Sequence, residues 1–167
     1  MLMSPAKILV VEDSPVNMEL VTDLLEVNGY EVLQATAAQE GIDLAVRAQP
    51  HLILMDIQLP GMDGLTAIRL LKEDLRTSRI PVVALTAHAM VGDQEKAEQA
   101  GCDGYLTKPI DTRMFPKFVE SIVKSDQHVL SSFRTQVSAV WEIQRMLEKR
   151  LSVMDSTAIG VTPALLA

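Results

Sequence analysis

The sequence predicts a doubly wound α/β fold on a five-stranded parallel sheet. Two observations support this. Five short apolar runs alternate with segments of helical or mixed spacing, the βα repeat of a parallel sheet covered on both faces. The run HLILMD at 51–56 is continuously apolar up to its last residue, as expected of a strand buried on both faces.

The first strand is expected over residues 7–11 (KILVV), β-branched and followed at once by Glu12 and Asp13. A helix over 16–28 carries Leu20, Val21, Leu24, Leu25 and Val27 at helical spacing, with Asn28-Gly29 as its stop. Residues 31–35 read as a weaker second strand, and 38–48 as a helix presenting Ile42, Leu44, Ala45 and Ala48. The third strand, 51–56, ends in Asp56. The segment QLPGMDG at 58–64 is dense in turn residues, and a helix follows over 65–75. Gly61 and Gly64 read as turn glycines, since no Walker-type spacing is present. The fourth strand, 80–86 (IPVVALT), ends in Thr86, and a polar, Ala-rich helix over 92–100 is stopped by Gly101. A fifth strand over 104–107 and a fifth helix over 113–124 complete the domain.

The length of 167 residues allows one ordinary domain, here 1–124, plus a short appendage. Hydrophobic residues at 48% and charged residues at 22% are a normal globular balance. Residues 1–124 hold 18 Asp and Glu against 11 Lys and Arg, while 125–167 hold four of each, so the net charge of -7 sits in the main domain. Neither part has the basic patch that nucleic-acid binding needs. The single cysteine, Cys102, excludes an intramolecular disulfide and reads as a small packed residue. No apolar run reaches membrane-spanning length and no signal pattern opens the chain, so a cytoplasmic protein is expected.

The chemistry gathers at strand ends. Glu12 and Asp13 end the first run, Asp56 the third and Thr86 the fourth, and Lys108 follows the fifth. Ligands of open α/β sheets bind outside the carboxyl ends of the strands, so these residues should share one crevice. Three adjacent carboxylates repel one another unless neutralised, and a hard divalent cation such as Mg²⁺ (or Mn²⁺) is the natural partner. Asp56 can then act as a carboxylate nucleophile toward phosphorus, with the metal and Lys108 supplying charge neutralisation and Thr86 a hydroxyl donor. Singly, each residue has an ordinary role. Glu12 and Asp13 suit a solvated strand end, Asp56 a cap on the turn before Pro60, Thr86 a helix N-cap, Lys108 surface charge and Tyr105 strand packing. Jointly those roles lose, because they predict no shared crevice. His51, His88 and His128 have no metal-ligand spacing and receive no role.

The motifs VVED, MDIQLPGMDG, PVVALTA and GYLTKPI, in this order over about residues 6–124, resemble those of the bacterial response regulator receiver domain. The resemblance implies a flavodoxin-like receiver with strand order 2-1-3-4-5. It makes Asp56 the phospho-acceptor, with Glu12, Asp13, Asp56 and the backbone carbonyl of Gln58 ligating Mg²⁺. Thr86 becomes the switch hydroxyl, Lys108 the phosphate partner with a cis bond to Pro109, and Tyr105 the aromatic that turns inward on activation. Small Ala87 leaves the phosphate approachable. A histidine kinase or histidine phosphotransfer protein is the implied donor. The implied output surface is the face of the fourth helix, fifth strand and fifth helix.

Beyond the domain, Leu130, Phe133, Val137, Val140, Leu147, Leu151 and Met154 follow steps of three and four, broken only by Gln144. An additional C-terminal amphipathic helix is expected over 125–155, followed by a loose tail over 156–167. It suits a homodimerising or partner-binding helix equally with one folded back on the domain, since Trp141 and Ile143 widen the stripe. The tail is too short and insufficiently basic for a winged-helix output domain. The expected function is a phosphorylation switch in two-component or phosphorelay signalling, not an enzyme turning over substrate. The alternatives are an aspartyl-phosphate phosphatase or phosphotransferase, a scaffold, or a receiver fragment of a larger hybrid kinase or multidomain regulator. The phosphatase reading is weakened by Gln58, which occupies the position of the second acid such enzymes carry.

Overall fold

The structure, a computed structural model, describes residues 4–87 and 91–125. The expected C-terminal helix and tail, with their heptad-like stripe, lie outside the described residues, as does His88. The order is β1 (Lys7–Val11), α1 (Pro15–Val27), β2 (Glu31–Ala35), α2 (Ala38–Ala48), β3 (Leu52–Asp56), α3 (Gly64–Glu73), β4 (Val82–Thr86), α4 (Val91–Gln99), β5 (Gly104–Thr107) and α5 (Phe115–Lys124). The five strands form one parallel sheet in the order β2-β1-β3-β4-β5, as expected.

Burial follows the sequence pattern. Every residue of β3 and β4 is buried. On one face of the sheet, Leu9, Val11, Ile53, Met55, Val82 and Ala84 pack with Ala45, Ala67, Ile68, Leu71 and Ala97 of α2, α3 and α4. On the other, Ile8, Val10, Leu52, Leu54, Val83 and Leu85 pack with Met18, Val21 and Leu25 of α1 and with Phe115 and Val119 of α5. Each fully buried aliphatic side chain contributes about 1.5–3 kcal/mol, which holds the central strand ends in register.

Several elements start later or stop earlier than the sequence suggests, for local reasons. Pro81 has no N–H, so the ladder of β4 begins at Val82 while the Pro81 carbonyl accepts from Ile53 (2.9 Å). The Asp111 carboxylate accepts the N–H groups of Arg113 (2.8 Å) and Met114 (3.2 Å), making a turn before α5, whose first turn holds Pro116. α3 stops at Glu73 because Asp74 turns to an extended conformation and the buried Thr77 hydroxyl donates to the Leu71 carbonyl (2.7 Å).

Asp63 caps α3, accepting the Thr66 N–H at 2.9 Å and the Thr66 hydroxyl at 2.8 Å, and the accepted N–H is the main cause holding its carboxyl below the usual range. A lowered folded-state pKa gives stability that is present above the unfolded value and is lost as pH falls through the folded one. Asp63→Ala should therefore cost about 1 kcal/mol at neutral pH. Urea unfolding at a series of pH values should show the gap between mutant and wild type closing below about pH 4.

Cys102 is buried, and burial, aided by the charges of Asp103 and Glu98, pushes its thiol up to about 12. The native protein should resist thiol reagents at pH 8 and react at once when unfolded; rapid native labelling would contradict the packed role. Among the described residues, no helix is long and apolar enough to cross a membrane.

Candidate functional site: an acidic crevice at the strand ends

Glu12 continues the ladder one residue past β1, its N–H donating to the Ala35 carbonyl (3.0 Å). Its side chain is only 1% exposed, so it is no solvated strand end. Oε1 accepts the Ser14 N–H (3.1 Å), and Oε2 accepts the Lys108 ammonium. Ser14 also caps α1, its side chain accepting from Asn17 (3.5 Å) ahead of Pro15 in the first turn. The same residue thus starts the helix and orients an acid of the crevice. The Ser-Pro pair was the sequence signal for it. Asp13, between them, is exposed.

Asp56 ends β3, opposite Leu85 in the register, and is 3% exposed. Oδ1 accepts the Gln58 N–H (2.9 Å), and Oδ2 accepts Lys108 Nζ (2.8 Å). Asp56 therefore does cap the turn that follows, as its ordinary role suggested, and it faces the crevice as well. One carboxylate oxygen pins Gln58 beside it.

Gly64 is not the simple turn glycine that the sequence suggested. A Cβ there would lie 2.0 Å from the Asp56 carbonyl oxygen and 2.8 Å from Ile57 Cα, so α3 starts against the backbone of Asp56 itself. Gly61, at φ +78°, has open space and fits its expected turn role.

Thr86 ends β4, pairs with Thr107 of β5 and is 2% exposed. Its carbonyl accepts the Lys108 N–H (2.7 Å), and its side chain hydrogen-bonds the phenol of half-buried Tyr105. Lys108, joined to Pro109 by a cis bond, follows β5.

The electrostatics follow from the packing. Burial pushes the Glu12 carboxyl upward, against the opposing hydrogen bonds from Lys108 and Ser14. Burial pulls the Lys108 ammonium downward, but the hydrogen bonds to Asp56 and Glu12 outweigh it and the net shift is upward. Burial also raises the Tyr105 phenol, against its hydrogen bond with Thr86. Lys108 stays charged, yet one cation against three carboxylates leaves the crevice negative. Ligand oxygens of Glu12, Asp13 and Asp56 lie within 4.8 Å of one another. Hard oxygen donors at this spacing with an uncompensated charge fit a hard divalent cation.

The model of the response regulator receiver domain matches residues 8–120. The chain belongs to that family. Receiver domains are regulatory modules of two-component signalling that take phosphoryl groups from histidine kinases. This receiver is 46% identical over 118 residues to the polar-differentiation response regulator DivK of Brucella anthropi, an alignment covering 71% of this chain and 94% of that protein. It is also 46% identical over 115 residues to DivK of Brucella ovis, covering 69% and 91%. Among solved structures, it resembles the receiver domain of a sensor histidine kinase from Pseudomonas aeruginosa, crystallised with a magnesium ion coordinated in the active site cleft. That likeness has a TM-score of 0.68 and 35% identity, over 72% of this chain and 99% of that one. A putative response regulator from Chloroflexus aurantiacus gives a TM-score of 0.69 at 27% identity, over 72% and 99%.

Proposed function

We propose that this receiver accepts a phosphoryl group on Asp56 from a histidine kinase or histidine phosphotransfer protein and signals through the face of α4, β5 and α5. The observation that carries the reading is the convergence of Glu12, Asp13 and Asp56 with the Lys108 ammonium hydrogen-bonded to Asp56. A carboxylate oxygen of Asp56 attacks the phosphorus of a phosphohistidine. The P–O bond forms as the P–N bond breaks, and the imidazole, already protonated on its other ring nitrogen, leaves as a neutral group. Glu12, Asp13, Asp56 and the backbone carbonyl of Gln58 would hold Mg²⁺ (or Mn²⁺). When bound, the cation neutralises charge on the phosphoryl oxygens.

The new group carries about -1.5 to -2 charges. Lys108 re-pairs toward it, and the Thr86 hydroxyl swings from Tyr105 to a phosphate oxygen. That movement frees Tyr105 to repack and biases an existing two-state equilibrium. Residues 1–124 form the phospho-acceptor unit. The segment 125–155 serves output, and a homodimer through it or through the α4–β5–α5 face would be one form of that output.

Magnesium should stabilise the fold through the acidic crevice. At about a hundred times its Kd, a ligand bound only by the native state adds about 2.7 kcal/mol, a rise of several degrees in Tm. Asp13→Asn, at an exposed position, should blunt that rise without lowering the metal-free Tm. A melting temperature indifferent to Mg²⁺, or a rise unchanged in Asp13→Asn, would remove the metal site.

A further inference from the structure

A largely buried ion pair lies at the opposite end of the sheet from the phosphoryl crevice. Lys72 stands in the last turn of α3, and Asp103 immediately precedes β5. Their side chains are 17% and 16% exposed. The Lys72 ammonium donates to Asp103 Oδ2 (2.5 Å), to the Ile80 carbonyl (2.7 Å) and to the Ser78 carbonyl (3.5 Å). The same Oδ2 accepts the Val82 N–H (3.0 Å), while the Asp103 N–H donates to the Val82 carbonyl (2.7 Å). Asp103 thus grips the first residue of β4 by both of its backbone groups. Gly101, left-handed at φ +92°, brings the end of α4 against the same lysine, since a Cβ there would lie 3.3 Å from Lys72 Cγ.

A pair of charges taken out of water adds little net stability, because desolvation offsets much of the attraction. Its best-attested use is to specify register, since a misaligned partner leaves a buried charge unpaired. β5 has need of that. It is four residues long, and its one buried residue, Gly104, has no side chain to pack; Tyr105 and Leu106 are half-buried and Thr107 is exposed. Apolar burial alone therefore selects its alignment weakly.

That alignment sets the crevice. In the native register Thr86 lies opposite Thr107, the Thr86 carbonyl accepts the Lys108 N–H (2.7 Å), and the Lys108 ammonium reaches Asp56 (2.8 Å). A slip of one residue would move Lys108 by about 3.3 Å and send each side chain of β5 to the other face.

We propose that Lys72 and Asp103 are positioning residues of the phosphoryl site: their ion pair fixes β5 on β4 and so places Lys108 and Thr86 against Asp56. The assignment rests on the phospho-acceptor reading above and adds to it two residues at the far end of the sheet. It also separates two properties of the site. The candidate metal ligands follow β1 and β3, which the pair does not hold, whereas Lys108 and Thr86 belong to β5 and β4, which it does.

The test compares the full chain with Lys72→Met, which keeps the apolar stem and removes the ammonium, and with the double variant Lys72→Met/Asp103→Asn. The double variant leaves no buried charge unpaired, so it remains testable where the single one fails to fold. Measurements are made at a temperature where melting curves show each protein folded. Initial uptake from acetyl phosphate at saturating Mg²⁺ should fall about tenfold or more in both, as small misplacements far from the chemistry can cost that much. The Mg²⁺ Kd should change less than about twofold, and the ¹⁵N amide signals of Thr86 and Lys108 should shift.

Wild-type uptake with unshifted Thr86 and Lys108 signals in a folded variant would overturn the assignment and leave the pair a structural tie. So would a Mg²⁺ Kd weakened in step with the rate, which reports a general loosening of the domain. If the wild type itself takes up no phosphoryl group on Asp56, the phospho-acceptor reading falls. The amide shifts then judge the register role by themselves.

Discussion

Asp56→Asn is expected to reduce Mg²⁺-dependent phosphoryl uptake from a small donor such as acetyl phosphate by on the order of a thousandfold or more. The amide keeps the shape of the side chain and an oxygen to accept the Gln58 N–H (2.9 Å in the native protein), so the turn after β3 should persist. It loses the nucleophilic charge, and with it the attraction for Lys108. Removing a carboxylate from a crowded acidic site also relieves repulsion, so the variant should be at least as stable as the wild type in the absence of metal. The paired result is therefore lost uptake with an intact or higher Tm, read by intact-mass spectrometry and thermal melting. Uptake persisting at a substantial rate would move the acceptor to another residue. Uptake lost only because the protein unfolds would leave the role of Asp56 unproven.

Gly64→Val should have the largest effect on stability of any single change in the loop. Its Cβ alone would sit 2.0 Å from the Asp56 carbonyl oxygen, closer than real atoms approach, and the obstacle is backbone rather than a flexible side-chain tip. Either α3 lifts off or the end of β3 shifts. A loss of about 3 kcal/mol or more is expected, at the upper end of single-residue effects. Whatever protein remains folded should phosphorylate slowly, because the displaced backbone is that of the acceptor. Gly61→Ala is the control. Its φ of +78° is costly for a side chain, but nothing lies within 4 Å, so about 1 kcal/mol is expected with uptake unchanged. Urea unfolding checks the first comparison and initial rates of phosphoryl uptake the second. Equal costs for the two glycines would refute the close-approach role of Gly64.

The parts of the fold legible in the sequence were those written in local pattern. The LILMD and VVALT runs announce buried strands because a strand covered on both faces has no polar side to show. The crevice was legible for a related reason: polar residues ending apolar runs must emerge at one edge of a parallel sheet, and Glu12, Asp13, Asp56, Thr86 and Lys108 do emerge there.

The rest depends on neighbours far apart in the chain. Nothing near Lys72 foretells that its ammonium bonds Asp103 (2.5 Å) and the Ile80 carbonyl (2.7 Å), tying α3 to the starts of β4 and β5. Gly64 looked like any turn glycine, since its constraint is the approach of a backbone strand that the loop sequence does not mention. Asp56 shows why weighing single residues misleads: its capping of the following turn and its place in the crevice are both present, one on each carboxylate oxygen.

The most direct test of the central claim is chemical mapping of the phosphorylated residue. The full chain is incubated with acetyl phosphate and Mg²⁺, reduced with borohydride, which converts an aspartyl phosphate to homoserine, and sequenced by tandem mass spectrometry. Homoserine at position 56 alone, absent when Mg²⁺ is chelated, is the expected result. Homoserine at Asp13, Asp63 or another acid, or no conversion with Mg²⁺ present, would contradict Asp56 as the metal-assisted phospho-acceptor.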